Sequence, residues 1–362
     1  MEKNKNHYCI IMAGGAGVRF WPLSRDKRPK QFIDILGVGK TFIQQTFARF
    51  EKIIPKENIL VVIGESHVSL VKEQLPDIAD ENILEESVRR NTAPCIAYAT
   101  YKLREKNPNA TVVVSPADHL ILDEYVFIKT IQKCLSVAEQ KNTMLTIGIN
   151  PTRPETGYGY IQINTKESDD YGVFKVKTFT EKPNFEMAKI FVNSGEFFWN
   201  SGIFIWTLDT IRLAFEKYLP DIAELLSADT GVYYTAKEKD FIAKAYSECR
   251  AISIDFGVME KATNVDVICA DFGWSDLGTW SSLFLQKEKD ESKNVIDAKN
   301  IFLDNVKKSI IKVNPNKLLV AKDLDNYLII DTNDVLLICP KTNDEDMKKL
   351  VDEVLLKNKN YF

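Results

Sequence analysis

HYCIIMAGGAGVRFWPLSRDKRPKQF, residues 7–32, sets a glycine-dense turn directly after the first apolar run of the chain and then spaces Arg19, Arg25, Lys27, Arg28 and Lys30 over the next stretch. Tyr8 to Ala13 is continuously apolar, as expected of a strand buried on both faces of a parallel sheet. Glycines after such a strand let the backbone approach a ligand, and amide groups there can hold anionic oxygens. Gly14, Gly15 and Gly17 are therefore predicted to wrap a polyphosphate. Arg19 offers it a rigid fork and Lys30 a point charge. An exposed basic turn is the plainer alternative that this stretch alone leaves standing.

Two familiar phosphate loops fail on spacing. A P-loop needs GxxxxGK followed by Ser or Thr, and no lysine stands at that place after Gly14, Gly15 or Gly17. A dinucleotide fingerprint needs GxGxxG, but Phe20 occupies the third glycine position. The broken spacing argues against a nicotinamide oxidoreductase.

Strand-like runs recur at 58–64 (NILVVIG) and 110–116 (ATVVVSP), with helix-compatible stretches between them at 42–53 and 93–106. Alternation of this kind predicts an α/β sheet, with its active edge at the carboxyl ends of the strands. TMLTIGI, GYGYIQI, FKVKTFTEKP and SGIFIW add strands to the later part of this body and make the sheet mixed. QKEKDESKN, 286–294, reads as a linker. Residues 301–338 show short apolar runs between Asn, Asp and Lys turns, the pattern of a small all-β unit or truncated solenoid. MKKLVDEVLLKN, 347–358, reads as a closing helix. The expected organisation is thus a catalytic domain over 1–285, a linker over 286–294, and a small β-rich domain over 295–362.

At 362 residues and 45% hydrophobic content the chain can bury a sizeable core. Its net charge is −4 and acids and lysines alternate, so no nucleic-acid partner is expected. Cysteines 9, 95, 134, 249, 269 and 339 form no CxxC pair, which favours reduced core thiols over disulfides or a zinc knuckle. No run has the eighteen or so apolar residues of a membrane helix, and no signal peptide precedes Tyr8. A cytoplasmic setting with no membrane association is expected.

SPADH places Asp118 just past a strand, and FGWSDLGTW places Asp276 in a second turn. Two carboxylates with nucleotide phosphates suit Mg2+, which prefers oxygen ligands and keeps some water. Either aspartate alone could equally cap a helix or fix a turn. His119 is expected to be a structural hydrogen-bonding residue. Downstream, Glu181 could accept from vicinal hydroxyls, Lys182 could meet a phosphate, Asn200 could recognise a further hydroxyl, and Gly157 could admit the ligand against the backbone.

In combination, MAGGAGVRFWPLSRDKRPKQF, RRNTAP, PADH, RPETGYGYI, FTEKP, FFWNSGIF, SIDFGVMEKA and FGWSDLGTW resemble the mannose-1-phosphate guanylyltransferases of the sugar nucleotidyltransferase superfamily, closely over 8–285 and more loosely through YLIIDTNDVLLICPK. The resemblance implies a nucleotide-diphospho-sugar transferase fold: a Rossmann-like α/β mixed sheet flanked by helices, with a small C-terminal β-rich domain. It implies GTP, mannose 1-phosphate and Mg2+ as substrates and cofactor, with homodimerisation allowed. By matching positions, Arg19 and Lys30 would bind the triphosphate, and Asp118 and Asp276 the metal. Glu181, Lys182, Asn200 and the backbone near Gly157 would hold the sugar phosphate, with Arg19, Lys30 and Lys182 neutralising charge in catalysis. Glu85, Asn91 and Thr92 would border the guanine. The chain lacks the isomerase domain of longer relatives, so isomerase activity is not expected, and its tail lacks the glycines usual in a short β-helix. A related hexose or heptose 1-phosphate as substrate, or a non-catalytic regulatory role, remain the alternatives.

Overall fold

The computed structural model describes residues 3–15, 20–164, 168–341 and 344–358. These fall into two compact units, one of residues 1–14 and 43–274, the other of 15–42 and 275–362. The segment after the glycine turn thus groups with the C-terminal region and not with the sheet it follows.

In the first unit the strands are β1 (His7–Met12), β2 (Ile59–Gly64), β3 (Ile83–Glu86), β4 (Thr111–Pro116), the two-residue β5 (Leu120–Ile121), β6 (Met144–Ile149), β7 (Tyr160–Ile163), β8 (Val173–Thr180), β9 (Phe197–Thr207) and β10 (Val265–Ala270). Among the described residues nine of them form one mixed sheet in the order β3-β2-β1-β4-β9-β6-β10-β8-β7. β1 runs parallel to β2 and β4, and β2 to β3, while β9 runs antiparallel to β4 and β6. The parallel half is the expected α/β body, and β7 to β9 supply its antiparallel part.

Strands β2 and β6 are buried along their whole length, which is why their sequences are continuously apolar. Helix Thr92–Lys106 packs into the same core through Ile96, Tyr98, Ala99 and Leu103. Its low amphipathicity follows from contact on most sides. Tyr160, Phe204, Trp206, Phe215 and Tyr246 are among the large fully buried side chains of this unit, each contributing roughly 1.5–3 kcal/mol by removal from water.

Register sets the functional edge. Met12 pairs with Pro116 and Gly64 with Glu86, so the ends of β1 to β4 finish together. Gly148 at the end of β6 pairs with Asn200, and Tyr160 at the start of β7 pairs with both Thr180 and Trp199. The turns at 157–159 and 181–182 therefore open beside Asn200.

The second unit contains β11 (Trp274–Ser275) in part, then β12 (Val295–Asp297), β13 (Asn300–Lys307), β14 (Ile310–Lys312), β15 (Leu318–Asp325), β16 (Tyr327–Asp331), β17 (Leu336–Pro340) and a closing helix Asp344–Lys357. β12, β14 and β16 stack in parallel, as do β13 and β15, and β17 returns antiparallel on β16. Asn300 lies beside Leu318 and Ile310 beside Leu328, so these coils of a short solenoid are offset by eighteen residues. Ile311, Val313, Ala321 and Ile329 fill its interior.

The missing glycines have a local explanation. Asn305, Lys308, Asp323 and Asn326 take the left-handed conformation at φ 53°, 51°, 55° and 65°. Asn and Asp tolerate that region because a short polar side chain can bond locally. Here Asn305 Nδ2 donates to Asp323 Oδ1 at 2.7 Å across adjacent coils. Within the stretch 286–294, Asn294 is buried, donating to the Val306 carbonyl and accepting from the Ser309 amide, so its last residue is built into the first coil.

Candidate active site

The carboxyl edge of the sheet in the first unit gathers a polar cluster. Asn200 Oδ1 accepts from Thr146 Oγ1 and the Gly202 amide, both at 3.1 Å, and its Nδ2 donates to Asp255 Oδ1 at 2.9 Å. These bonds define which end of the amide is nitrogen. Glu181 is nearly buried, and its Oε1 pairs with Lys182 Nζ at 2.7 Å. Its Oε2 lies 2.6 Å from the place a β-carbon on Gly159 would occupy, and Asn200 Cβ lies 3.4 Å from that place.

Gly159 is thus the glycine that close approach requires here, whereas a β-carbon on Gly157 would meet only Glu155 Oε1 at 3.4 Å. Gly157 instead donates its amide to Glu155 at 3.3 Å. The Lys182 backbone sits at φ 46°, a conformation that turns the chain sharply after β8.

Asp255 opens a π-helical turn, Asp255–Met259, of the kind that often marks functional positions. Burial, followed by the charge of Glu181, raises its carboxyl to about 6. Burial and the same neighbour also raise Glu260. Two carboxylates and an amide in one enclosed place are suited to hydroxyl recognition. Within SIDFGVMEKA nothing in the spacing singles out Asp255. Its lone position in an apolar run, followed by Phe256 and Gly257, is the available signal.

Asp118 lies half-buried two residues beyond β4. The neighbouring His119 accepts at Nδ1 from the Trp274 indole at 3.1 Å, which leaves the ring proton on Nε2. Asn91 accepts from the Thr92 amide at 2.8 Å as the N-cap of helix Thr92–Lys106, and Thr92 Oγ1 accepts from the Ile254 amide at 2.9 Å. Glu85 meets Lys239 at 3.4 Å. Its neighbour Glu86 is buried, accepts from Tyr246 Oη at 3.1 Å, and lies 3.2 Å from a β-carbon placed on Gly14. Burial raises the Glu86 carboxyl to about 7 against the opposing effects of Tyr246 and Arg89.

In the second unit, Gln31 Nε2 donates to the Gly15 carbonyl at 3.1 Å. Lys30 is buried and donates from Nζ to the peptide oxygen of Asp276 at 2.5 Å. Asp276 Oδ1 in turn accepts from the Gly278 amide at 3.0 Å. Arg25, grouped by sequence with the phosphate-facing charges, is committed elsewhere, to both carboxylate oxygens of Asp334. Gly17 and Arg19 lie outside the described residues.

Comparison with known proteins gives this arrangement its family. The profile described as nucleotidyl transferase matches residues 8–293. A Salmonella montevideo protein named mannose-1-phosphate guanylyltransferase is 37% identical over 359 residues, covering 97% of this chain and 74% of its own. An Escherichia coli protein of the same name is 35% identical over 355 residues, covering 95% and 75%. The chain belongs to the nucleotidyl transferase family. Within it, its relatives are the mannose-1-phosphate guanylyltransferases. A crystal structure described as mannose-1-phosphate geranyltransferase from Thermus thermophilus shares the fold at a TM-score of 0.85 and 27% identity, covering 96% of this chain and 99% of that one.

Nucleotidyl transferases of this kind act on a nucleoside triphosphate and a sugar 1-phosphate, and the family generally uses a divalent metal. Asp118, in the first unit, and Asp276, in the second, are each half-buried carboxylates, oxygen donors of the type a hard cation takes. Among the described residues no three His, Cys, Asp or Glu side chains cluster as a ready-made metal cage. All six cysteines are free thiols, four of them buried. No helix of the described residues is long and apolar enough to cross a membrane.

Proposed function

We propose that the protein transfers GMP from GTP to α-D-mannose 1-phosphate, releasing pyrophosphate and forming GDP-mannose in the cytoplasm. The observation that carries this reading is 34–37% identity to relatives named mannose-1-phosphate guanylyltransferase over nearly the whole chain. The Glu181–Asn200–Asp255 cluster supports a polyhydroxylated substrate at the edge of the sheet.

A phosphate oxygen of the sugar phosphate attacks the α-phosphorus in line, the new O–P bond forms, and the bond to pyrophosphate breaks. That oxygen is already anionic near neutral pH, so no general base is needed. The protein's task is positioning and charge neutralisation. Lys182 meets the sugar phosphate, and Arg19 and Lys30 serve the triphosphate with the amides of Gly14, Gly15 and Gly17. Glu85, Asn91 and Thr92 border the base, while Glu181, Asn200 and the Gly157 backbone hold the sugar. Asp118 and Asp276 are the carboxylates assigned to Mg2+, which when bound offsets negative charge on phosphate oxygens.

The test is pyrophosphate release from a matrix of four nucleoside triphosphates against mannose, glucose and heptose 1-phosphates, with Mg2+ supplied and withheld. Preference for GTP with mannose 1-phosphate is expected. A preferred sugar other than mannose would overturn the substrate assignment. Asp118→Asn and Asp276→Asn, assayed separately, should each lower turnover by about two orders of magnitude or more, the scale of lost electrostatic stabilisation. Near-normal turnover in both would remove them from the metal site.

A further inference from the structure

The loop 20–32 runs from the glycine turn to Lys30, and within the second unit its partners come from distant parts of the chain. Phe20 packs edge-to-face on Trp280 at 5.1 Å, and the Trp280 indole donates to the Trp21 carbonyl at 3.3 Å. Lys30 reaches the Asp276 carbonyl. Arg25 and Arg28 close the middle of the loop by exchanging backbone hydrogen bonds at 3.2 and 3.0 Å.

The remaining anchor comes from the solenoid. Arg25 donates through Nη1 and Nη2 to the two oxygens of Asp334, each at 2.6 Å, while its Nε donates to the Pro22 carbonyl at 3.1 Å. One edge of the guanidinium is therefore spent on its own loop and the other on the hairpin between β16 and β17. Thr332 Oγ1 donates to Asp334 Oδ1 at 3.1 Å and accepts from the Val335 amide at 3.0 Å, which holds that turn in shape. Arg25 keeps the Asp334 carboxyl down at about 2, so the pair stays ionised through neutral pH.

We infer that Asp334 is a positioning residue for the nucleotide: its two-point grip on Arg25 sets the course of the loop that leads to Lys30, making the C-terminal solenoid part of the transfer machinery. This rests on the assignment of that loop to the triphosphate. A bidentate arginine–carboxylate pair fixes direction as well as distance. Asp334 is half exposed, and pairs of that kind add little to stability. What it supplies is geometry.

Asp334→Asn keeps one acceptor oxygen and loses the two-point grip. It should raise KM for GTP about tenfold, within the range that small misplacements of a binding group can cost. KM for mannose 1-phosphate and the melting temperature should stay unchanged. Arg25→Lys should show the same split, because an ammonium lacks the fork. Trypsin provides a readout independent of turnover: cleavage after Arg25 and Lys27 should be faster in Asp334→Asn than in the parent. An unaltered KM for GTP, or equal rises in both KM values with a lowered melting temperature, overturns the inference. So does an equal cleavage rate. Silence of the parent enzyme across all substrates instead overturns the proposed function, and the cleavage comparison still decides whether Asp334 holds the loop.

Discussion

Asn200 and Asp255, 55 residues apart in sequence, are joined at 2.9 Å with the amide donating and the carboxylate accepting. Asn200 Oδ1 is occupied by Thr146 and Gly202, so the amide is oriented before any sugar arrives. Asp255→Ala should therefore raise KM for mannose 1-phosphate by about tenfold while sparing KM for GTP, as expected when a ligand-orienting bond is lost. Protonation below about 6 weakens the acceptor, so in the parent kcat/KM for the sugar phosphate should fall as pH drops through that value. The substrate's own phosphate titrates nearby. The decisive measurement is the difference between parent and Asp255→Asn profiles; superimposable curves would remove Asp255 from the sugar site.

Glu86 makes stability fall with rising pH. Its ordinary carboxyl value of 4.5 is raised to about 7 in the fold, chiefly by burial. Below about 4.5 both folded and unfolded chains hold the proton, and the contribution is complete. Between about 4.5 and 7 the unfolded chain has released it and the folded chain has not. The loss is on the order of 3 kcal/mol and is finished above about 7. Glu86→Gln should match the parent near pH 4.5 and exceed it near pH 8 in urea unfolding. Parallel curves at both values would contradict the assignment.

Gly159 and Gly157 give a paired test. A methyl group on Gly159 meets Glu181 Oε2 at 2.6 Å, so the carboxylate must swing away from its place in the cluster. Gly159→Ala should fold and lose about tenfold or more in kcat/KM for the sugar phosphate, the scale of a displaced recognition group. Gly157→Ala meets only a side-chain oxygen at 3.4 Å, displaces no group of the cluster, and should lose less than Gly159→Ala. Steady-state kinetics on the two variants checks the contrast.

Lys102, Tyr98 and Glu238 form a buried polar knot that no local pattern announces. Glu238 Oε1 accepts from Lys102 at 2.7 Å and Tyr98 at 2.6 Å, and Oε2 accepts from the Tyr234 amide at 2.7 Å. Glu238→Ala leaves the lysine charge buried and alone, which should cost about 3–5 kcal/mol in unfolding free energy. Replacing Lys102 by Met and Glu238 by Leu together should recover part of that loss, as read by urea unfolding.

Local pattern carried much of this fold. Continuous apolar runs marked β2, β4 and β6 because strands buried on both faces need no alternation. Glu181 stands out as a charge just past β8 and Asn200 as an amide inside the largely apolar β9, and both border Gly159 because β7 pairs with β8 and β9. Asp255 does not stand out, because its role arises from a turn that crosses to Asn200, a contact with no trace in spacing. Gly157 and Gly159 look alike in the sequence because only three-dimensional clearance separates them. The solenoid's turns are unreadable by glycine count because Asn, Lys and Asp take the left-handed positions. Arg25 looks like one more phosphate-facing charge, since nothing in a linear basic cluster marks the member that turns toward an acid 309 residues away.

The coils of the solenoid are offset by fifteen residues at β12 and β14 and by eighteen at the stacked pairs that follow, and the hairpin bearing Asp334 comes after the last of them. Gain or loss of one whole coil would preserve every stacked turn while carrying Asp334 along the stack by one strand spacing, about 4.8 Å. That is farther than the grip on Arg25 can stretch. In evolutionary terms the solenoid is not free to drift in length as such repeats otherwise can: a single arginine near the start of the chain counts its coils.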